Sequence, residues 1–266
     1  MKVSDAVGTF AMVFILPEDI NLTSGSPQYH RNFLDIYLCQ YSRSYLSDLI
    51  EYQRILKQRN SLLRRILEGE KASGDLELDV WDKSLVSSAL RIMTARRYFV
   101  DELGSAVNET VGELSSSKES VKVAYRPKIE IENYEDLDGA LNFFVKARDK
   151  DKRYGSTILG PHRDIIEIKL NGKSLRLYGS LGQKKTVMIA MKLAALDVIS
   201  SHLGESAILA LDEAFAEFDS SRTGALLDLL SAKGQVFLAS ADDKGVSRIY
   251  DDMRIFNVED GVVTER

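Results

Sequence analysis

The pattern of apolar and polar positions predicts an α/β protein with a long helical region in its middle. Short apolar runs at 10–16, 207–212 and 235–239 are typical of strands buried in a parallel sheet. Between 27 and 152 the apolar residues recur mainly at three- and four-residue spacing, which indicates helices with one buried face. We predict helices at about 27–68, 85–111, 134–148, 180–203 and 220–230.

Turn residues and shorter apolar runs predict several further strands. Two strands are expected to pair across Asn171-Gly172 and two across Asp260-Gly261, because both dipeptides favour tight hairpin turns. The Gly160-Pro161 dipeptide predicts another turn, which follows a strand that begins near Gly155. The other expected strands are 121–125, 128–131, 164–170, 173–177, 254–258 and 262–264.

Two adjacent acids end the apolar run at 207–212. The stretch Leu209–Asp219 reads LALDEAFAEFD, with Asp212 and Glu213 at the end of the predicted strand. Open α/β sheets bind ligands at the carboxyl ends of their strands. One acid at this position is suited to hold a hydrated Mg²⁺, and its neighbour is suited to orient or deprotonate a water molecule. A strand that simply ends at a charged turn explains these residues equally well.

A second candidate site lies upstream, where Tyr178–Thr186 reads YGSLGQKKT and opens an apolar helix. Ser180 stands at the N-cap position, and Gly182 permits close approach to the backbone. The N–H groups at a helix N-terminus attract anions. Taken by itself, the stretch is an ordinary capped helix. Together with the acids downstream, it is a much more specific signal of a functional site than either segment alone.

The order of these motifs resembles the second half of an ABC-type ATPase head, which has a signature motif, a Walker B strand and a D-loop. Five other stretches narrow the match: Val13–Ile20, Gly25–Asp35, Tyr52–Leu63, Leu159–Ile168 and Gln235–Asp242. They are similar to the RecF family of DNA repair proteins, and the resemblance covers nearly the whole chain.

The resemblance implies an α/β ABC-ATPase half-head with a parallel sheet and a mainly helical lid. Residues 1–26 would supply one strand of the head, and 27–152 would form the lid. Residues 153–266 would form the head lobe that carries the signature motif, the Walker B strand and the D-loop.

The resemblance also implies that two heads meet head to tail around ATP. Ser180, Gly182 and Gln183 of one subunit would cap the γ-phosphate of the nucleotide bound to the other subunit. Asp219, six residues after Glu213, would bridge the two sites. ATP would therefore act as a ligand that drives formation of a homodimer.

The catalytic roles implied by the resemblance fall on the two acids. Asp212 would support Mg²⁺ through water, and Glu213 would position or activate the attacking water. Many ABC heads have a histidine near the end of the next strand that contacts the γ-phosphate. This chain has none there, so Ser240 or Asp242 would have to serve.

The phosphate-binding loop G-x-x-x-x-G-K-[ST] does not occur in the sequence. In the family this loop lies near the N-terminus, so we expect it to be encoded upstream of this chain. Slow hydrolysis of ATP is expected only when that loop is present, because the loop and its lysine supply most of the ground-state binding of nucleotide.

The overall charge places a limit on where DNA can bind. The net charge is −5, whereas a nucleic-acid binder is usually basic, so contact with DNA requires a local patch. Two basic groups in the predicted helices are candidates, although a solvated helix surface is the more common explanation of such groups. The candidates are Lys57, Arg59, Arg64, Arg65, Arg91, Arg96 and Arg97.

The resemblance implies a cytoplasmic, nucleoid-associated protein. Its partners would be gapped or single-stranded DNA, RecO and RecR, and a recombinase. The lone Cys39 excludes a disulfide within one chain, and no run of 18 apolar residues predicts a membrane span. Two alternatives remain open: a non-catalytic interaction module without nucleotide affinity, and another ATPase head of the SMC or OLD type.

Overall fold

The computed structural model describes residues 8, 10–71, 74–116, 119–129, 131, 133–215, 218–241 and 254–265. Within these ranges a parallel sheet contains three strands in the order β1-β5-β6. The strands are β1 (Met12–Ile15), β5 (Ile208–Asp212) and β6 (Val236–Ala239). Since all three are parallel, their carboxyl ends lie at one edge of the sheet. The predicted parallel sheet is therefore confirmed, with the strand that carries the acids at its centre.

Antiparallel strands form the other two sheets of the described residues. One sheet contains β2 (Val121–Arg126), β3 (Ile165–Leu170) and β4 (Lys173–Ser174). The other is the hairpin of β7 (Phe256–Glu259) and β8 (Val262–Glu265). Both predicted hairpin turns are present, and all their central residues have positive φ: Asn171 at 49°, Gly172 at 78°, Asp260 at 48° and Gly261 at 80°.

Helices dominate the middle of the chain, as the apolar periodicity predicts. After the short α1 (Asn21–Ser24) they are α2 (Pro27–Tyr41), α3 (Arg43–Leu67), α4 (Asp75–Leu114) and α5 (Leu137–Tyr154). The predicted helix at 27–68 is two helices, because Ser42 is extended and caps α3 by accepting a hydrogen bond from the Tyr45 N–H. Helix α4 also begins ten residues earlier than predicted.

Two predicted strands are absent from the residues that the structure describes. Around 128–131 no ladder forms, and the Lys128 N–H instead donates to the Asp164 carboxylate at 2.8 Å. Near Gly155, helix α5 continues to Tyr154 and ends there because Gly155 adopts a left-handed φ of 62°. The residues that follow form a loop and a 3-10 turn, Pro161–Arg163.

Three further helices complete the described part of the head. They are α6 (Leu175–Tyr178), α7 (Leu181–Leu203) and α8 (Ser220–Ser231). Helix α6 replaces the predicted continuation of the strand at 173–177, since the pairing of β4 ends at Ser174. Helix α7 is long and apolar enough to cross a membrane by length and composition, but 67% of its most apolar window is buried inside the protein.

One continuous cluster of buried side chains joins the proposed head and lid. It includes Val13 of β1, Phe99 of α4, Ile189 of α7 and Leu209 of β5. Helix α7 lies at its centre, with residues facing both the parallel sheet and the lid helices.

Most apolar residues of the helical stripes between 27 and 152 are buried or pack against the core, as predicted. Ile50 and Leu67 have exposed fractions of 50% and 53%, so the prediction of a core position is wrong for these two. The domain boundaries at 26/27 and 152/153 stay predictions.

Candidate functional site

The two acids of the LALDE stretch lie at the carboxyl edge of the parallel sheet. Asp212 is the last residue of β5 and is exposed. Glu213 follows it with a φ of 48°, a conformation that is uncommon for a residue other than glycine. Its N–H donates to the Ala239 carbonyl at 3.1 Å, and its Oε1 accepts from the Ala241 N–H at 2.7 Å. These two hydrogen bonds fix the glutamate across the ends of β5 and β6.

Asn171 and Asp260 adopt the same conformation in hairpin turns, whereas Glu213 adopts it at a strand end, which makes it a candidate for a functional residue. Residues held in sparsely populated regions cost about 1–3 kcal/mol each and are concentrated in active sites. The other carboxylate oxygen of Glu213, Oε2, has no hydrogen-bond partner among the described residues. It is therefore available to a water molecule or a substrate.

An open cleft of about 200 Å³ borders the acids. Asp212 and Glu213 form one side, Pro17 after β1 forms another, and Leu181 and Lys185 from the first two turns of α7 lie opposite. The cleft is thus at the sheet edge where ligands of α/β proteins bind.

The acids suit a magnesium ion that is shared with phosphate. Within the described ranges, no group of three or more His, Cys, Asp or Glu side chains is placed to hold a metal. Mg²⁺ typically takes only one or two carboxylates and completes its shell with water and phosphate oxygens. The single exposed carboxylate of Asp212 at the cleft fits that arrangement.

A buried lysine shapes the β1 side of the cleft. Lys192 of α7 forms an ion pair with Asp19 at 2.8 Å and donates to the Phe14 carbonyl at 2.9 Å. The other oxygen of Asp19 accepts from the Leu16 N–H at 2.8 Å. Burial lowers the pKa of Lys192, while the Asp19 charge opposes that shift. These contacts hold the turn after β1 against the middle of α7.

The signature-like stretch forms the helix start that the sequence predicts. Ser180 caps α7 by accepting from the Gln183 N–H at 3.2 Å, and the Gln183 Oε1 accepts from the Ser180 N–H at 2.9 Å. This reciprocal pair is a capping box. Ser180 is exposed, and Leu181 and Gly182 hold the positions whose N–H groups have no partner within a helix. The site is therefore open to an anion from outside the subunit.

Two residues that the sequence did not point to support this helix start. The Gln183 amide donates to Glu119 at 2.8 Å, and Arg222 lies 3.9 Å from the same carboxylate. Arg222 also donates to the Thr186 hydroxyl at 3.3 Å. The spacing of Arg222, three residues after Asp219, could have been noticed, whereas Glu119 lies in a polar loop without any signal.

Asp219 caps helix α8, since its carboxylate accepts from the Arg222 N–H at 2.9 Å. Removing the cap in Asp219→Ala should lower the free energy of unfolding by about 1 kcal/mol. Asp219→Asn should retain nearly all of the stability, because the amide oxygen still accepts the hydrogen bond. Chemical denaturation of the three proteins measures both effects, and equal stability of the Ala and Asn variants would contradict the capping role.

The structure does not bring all the predicted site residues into one cleft. The acids line the cleft described above, whereas Gln183 lines a second groove of about 320 Å³ beside β4 and Tyr178. Ser180 and Gly182 do not line the cleft of the acids. Ser240 follows β6 at the same sheet edge, and Asp242 lies outside the described residues.

Two of the arginines predicted to contact DNA are buried, which makes that prediction wrong for them. Arg59 has an exposed fraction of 0% and Arg96 of 2%. Arg59 donates to Asp82 at 2.6 Å and to Asp151 at 2.7 Å. Arg96 donates to Asp35 at 2.7 Å. Neither guanidinium is accessible to a nucleic-acid backbone, because internal carboxylates already occupy both.

The other predicted DNA contacts are exposed. Lys57 and Arg64 have no ion-pair partner among the described residues. The other three form surface ion pairs: Arg65 with Glu70 at 3.6 Å, Arg91 with Asp48 at 2.8 Å, and Arg97 with Asp101 at 3.9 Å.

Known proteins resemble this chain over its whole length. A scan of protein-family models finds no match. The DNA replication and repair protein RecF of Geobacillus kaustophilus is 35% identical over 268 residues, which covers 99% of this chain and 72% of the relative.

Solved structures give the same result for the fold. A structure of the recombination mediator protein RecF-ATPrS in the RecFOR pathway matches with a TM-score of 0.85 at 28% identity. It covers 99% of this chain and 70% of that one. A structure of RecF-ATP matches with a TM-score of 0.82 at 29% identity, over 98% of this chain and 68% of that one. Given this agreement of sequence and fold, the chain belongs to the RecF family of DNA replication and repair proteins, and its fold is the α/β ABC-ATPase head with helices that the sequence predicts.

Proposed function

We propose that this chain acts in an ATP-dependent, DNA-binding protein of recombination and repair. In this proposal the protein dimerises on ATP and helps to load a recombinase onto gapped or single-stranded DNA. The observation that carries the proposal is Glu213, held at positive φ across two strand ends with one oxygen free beside an open cleft.

The acids divide the chemistry between them. Glu213 keeps one oxygen bonded to the Ala241 N–H, so its free oxygen is fixed in place to orient a water molecule and accept its proton. Asp212 would hold Mg²⁺ through water, and the ion when bound neutralises charge on the phosphates. The chain carries no G-x-x-x-x-G-K-[ST] loop, so the phosphates require a loop outside these residues.

The helix start at Ser180 completes the site from a second subunit. Its hydroxyl and the N–H groups of Leu181 and Gly182 would donate to a γ-phosphate, while Gln183 and Asp219 support the contact. Ser180 is exposed and, unlike the adjacent Leu181, does not line the cleft of the acids, which is compatible with this head-to-tail arrangement. Nucleotide then stabilises the dimer by mass action, about 2.7 kcal/mol at one hundred times its dissociation constant.

The exposed cations of α3 and α4 remain proposed contacts for DNA, and RecO and RecR remain proposed partners. The solved relatives are described as recombination mediators in the RecFOR pathway, which supports this assignment. The proposed DNA contacts are now Lys57, Arg64, Arg65, Arg91 and Arg97.

Titration with a fluorescent ATP analogue tests the proposal. We expect weak or undetectable binding by the chain alone and clear binding once the loop-containing segment is joined to it. The absence of a phosphate-binding loop favours one competing function, an interaction module without nucleotide affinity. No binding by the joined protein would establish that alternative and overturn the proposal.

Ser180→Arg tests the dimer contact in the joined protein. The bulky cation should abolish ATP-driven dimerisation in sedimentation velocity and leave the binding of ATP to the monomer unchanged. Ser201→Arg is the matched control, because Ser201 is an exposed serine in the last turn of the same helix. Dimerisation of the Ser180 variant at the parent's ATP concentration would refute the capping role.

A further inference from the structure

The turn Gly160–Asp164, with the sequence GPHRD, is held by side chains from helices α3 and α4. Arg96 of α4 donates to the Pro161 carbonyl at 2.7 Å. The Tyr52 hydroxyl of α3 forms a hydrogen bond of 2.6 Å with His162 Nδ1. Gly160 has a φ of 122°, and a Cβ at this position would lie 2.5 Å from that hydroxyl. The close packing of the turn therefore requires glycine.

Asp164, the last residue of the turn, is also held by several hydrogen bonds. Asp164 is fully buried, and its carboxylate accepts from the Tyr125 hydroxyl and from the Lys128 N–H. Its carbonyl accepts from Arg31 of α2 at 3.2 Å. The Arg31 guanidinium and the backbone of Lys128 are therefore both held next to Asp164 by hydrogen bonds.

Arg163 is the one residue of this turn that is exposed to solvent. Its guanidinium has no hydrogen bond or ion pair with any described residue. Burial of a charge such as that of Arg96 is costly unless the charge is paired. The buried Arg96 and the buried carboxylate of Asp164 hold the backbone on the two sides of Arg163, which is exposed and unpaired among the described residues. Such rigidity is unnecessary for a side chain that only faces water.

The surroundings of the turn are crowded with positive charge. Burial, and after it the charges of Arg96 and Arg163, lower the pKa of Arg31. Asp35 and Asp164 offset part of this charge. Burial also lowers the pKa of His162 to about 4, so at neutral pH the histidine adds none. An anion bound here would relieve the repulsion among the guanidinium groups.

We propose that Arg163, flanked by Arg31 and Lys128, is a binding site for the backbone phosphates of DNA. The proposal rests on the DNA-binding function proposed above and adds a site outside the α3 and α4 candidates. None of the three residues lines the cleft of the acids, so the site is separate from that of the nucleotide. With a net charge of −5, the protein needs such a local cluster to attract a polyanion.

Fluorescence anisotropy with a labelled gapped duplex tests the site in the chain as it stands. Arg163→Glu and Lys128→Glu should each weaken binding of DNA at least about tenfold. The plot of log K against log salt concentration has a negative slope, and loss of one phosphate contact should make it shallower by about 0.9. Arg163→Lys should restore most of the affinity, because a phosphate contact needs mainly the charge. Circular dichroism and melting temperature verify that each variant is folded.

Arg43→Glu is the matched control, since Arg43 is an exposed arginine at the first position of α3, without a partner among the described residues. It should change affinity less than about twofold if only a long-range charge effect acts there. Equal losses in the Arg43 and Arg163 variants, or an unchanged Arg163 variant, would overturn the site. If the parent binds DNA and the Arg163 variant binds it with the same affinity, only this site is refuted and the proposed function is not.

A parent chain that binds no DNA would overturn the site as well. In that case the titration of the joined protein with the fluorescent ATP analogue still tests the ATP-dependent function, because it does not depend on DNA binding.

Discussion

Replacing Arg59 with methionine is expected to lower the free energy of unfolding by about 3–5 kcal/mol. The guanidinium joins three elements, because it donates to Asp82 of α4, to Asp151 of α5 and to the Thr157 hydroxyl at 2.6, 2.7 and 2.8 Å. Its removal leaves Asp151 buried without its cation, whereas Asp82 keeps the contact with Arg148 at 2.7 Å. Asp151 keeps the hydrogen bond from the Ile158 N–H at 2.9 Å, but a buried carboxylate without a counter-charge costs far more than the lost packing.

Urea denaturation of the variant measures this loss. Arg65→Met is the control on the same helix, since Arg65 is exposed and its ion pair with Glu70 is 3.6 Å long. It should change stability by less than about 1 kcal/mol. Adding Asp151→Asn to the Arg59 variant should recover part of the loss, because the amide removes the uncompensated charge. Similar losses in the Arg59 and Arg65 single variants would contradict the importance of the buried network.

Glu213→Gln is expected to slow ATP hydrolysis by about 10²–10³-fold in a protein that includes the phosphate-binding loop. The amide oxygen still accepts from the Ala241 N–H, so the backbone at positive φ keeps its support. An amide does not accept a proton from water, so only the chemical step is lost. The variant should therefore accumulate as the ATP-bound dimer.

Single-turnover release of phosphate, combined with sedimentation velocity, measures both parts of this prediction. Glu205→Gln, at an exposed glutamate after α7, is the control and should hydrolyse ATP at the parent's rate. Hydrolysis at the parent's rate by the Glu213 variant would remove that residue from the catalytic role. Loss of dimerisation in the same variant would indicate instead that the glutamate supports the fold of the sheet edge.

The helix start and the acid-tipped strand were predictable because local rules determine them. A serine followed three residues later by glutamine gives the capping box of Ser180 and Gln183. Four apolar residues before Asp212 are enough to indicate a buried strand with a carboxylate at its end. These motifs carried the resemblance to an ABC-type ATPase head, and other stretches of the chain narrowed it to the RecF family, which the comparisons confirm.

The buried arginines were not predictable, because their partners are distant along the chain. Arg59 lies 23 residues from Asp82 and 92 from Asp151, and Arg96 lies 61 from Asp35. In the sequence they are indistinguishable from exposed neighbours such as Arg64 and Arg97. The missing strand near Lys128 has the same cause, since the Asp164 carboxylate takes up its N–H from 36 residues away.

The ion pair between Lys192 and Asp19 has a mechanical consequence for helix α7. The helix begins at the exposed Ser180 and grips the turn after β1 through Lys192, three turns further along. In the proposed dimer, a contact of the opposing subunit with Ser180 would act on one end of a helix whose middle is bonded to the turn beside its own cleft. Each subunit would then sense through one helix whether its neighbour's pocket is filled.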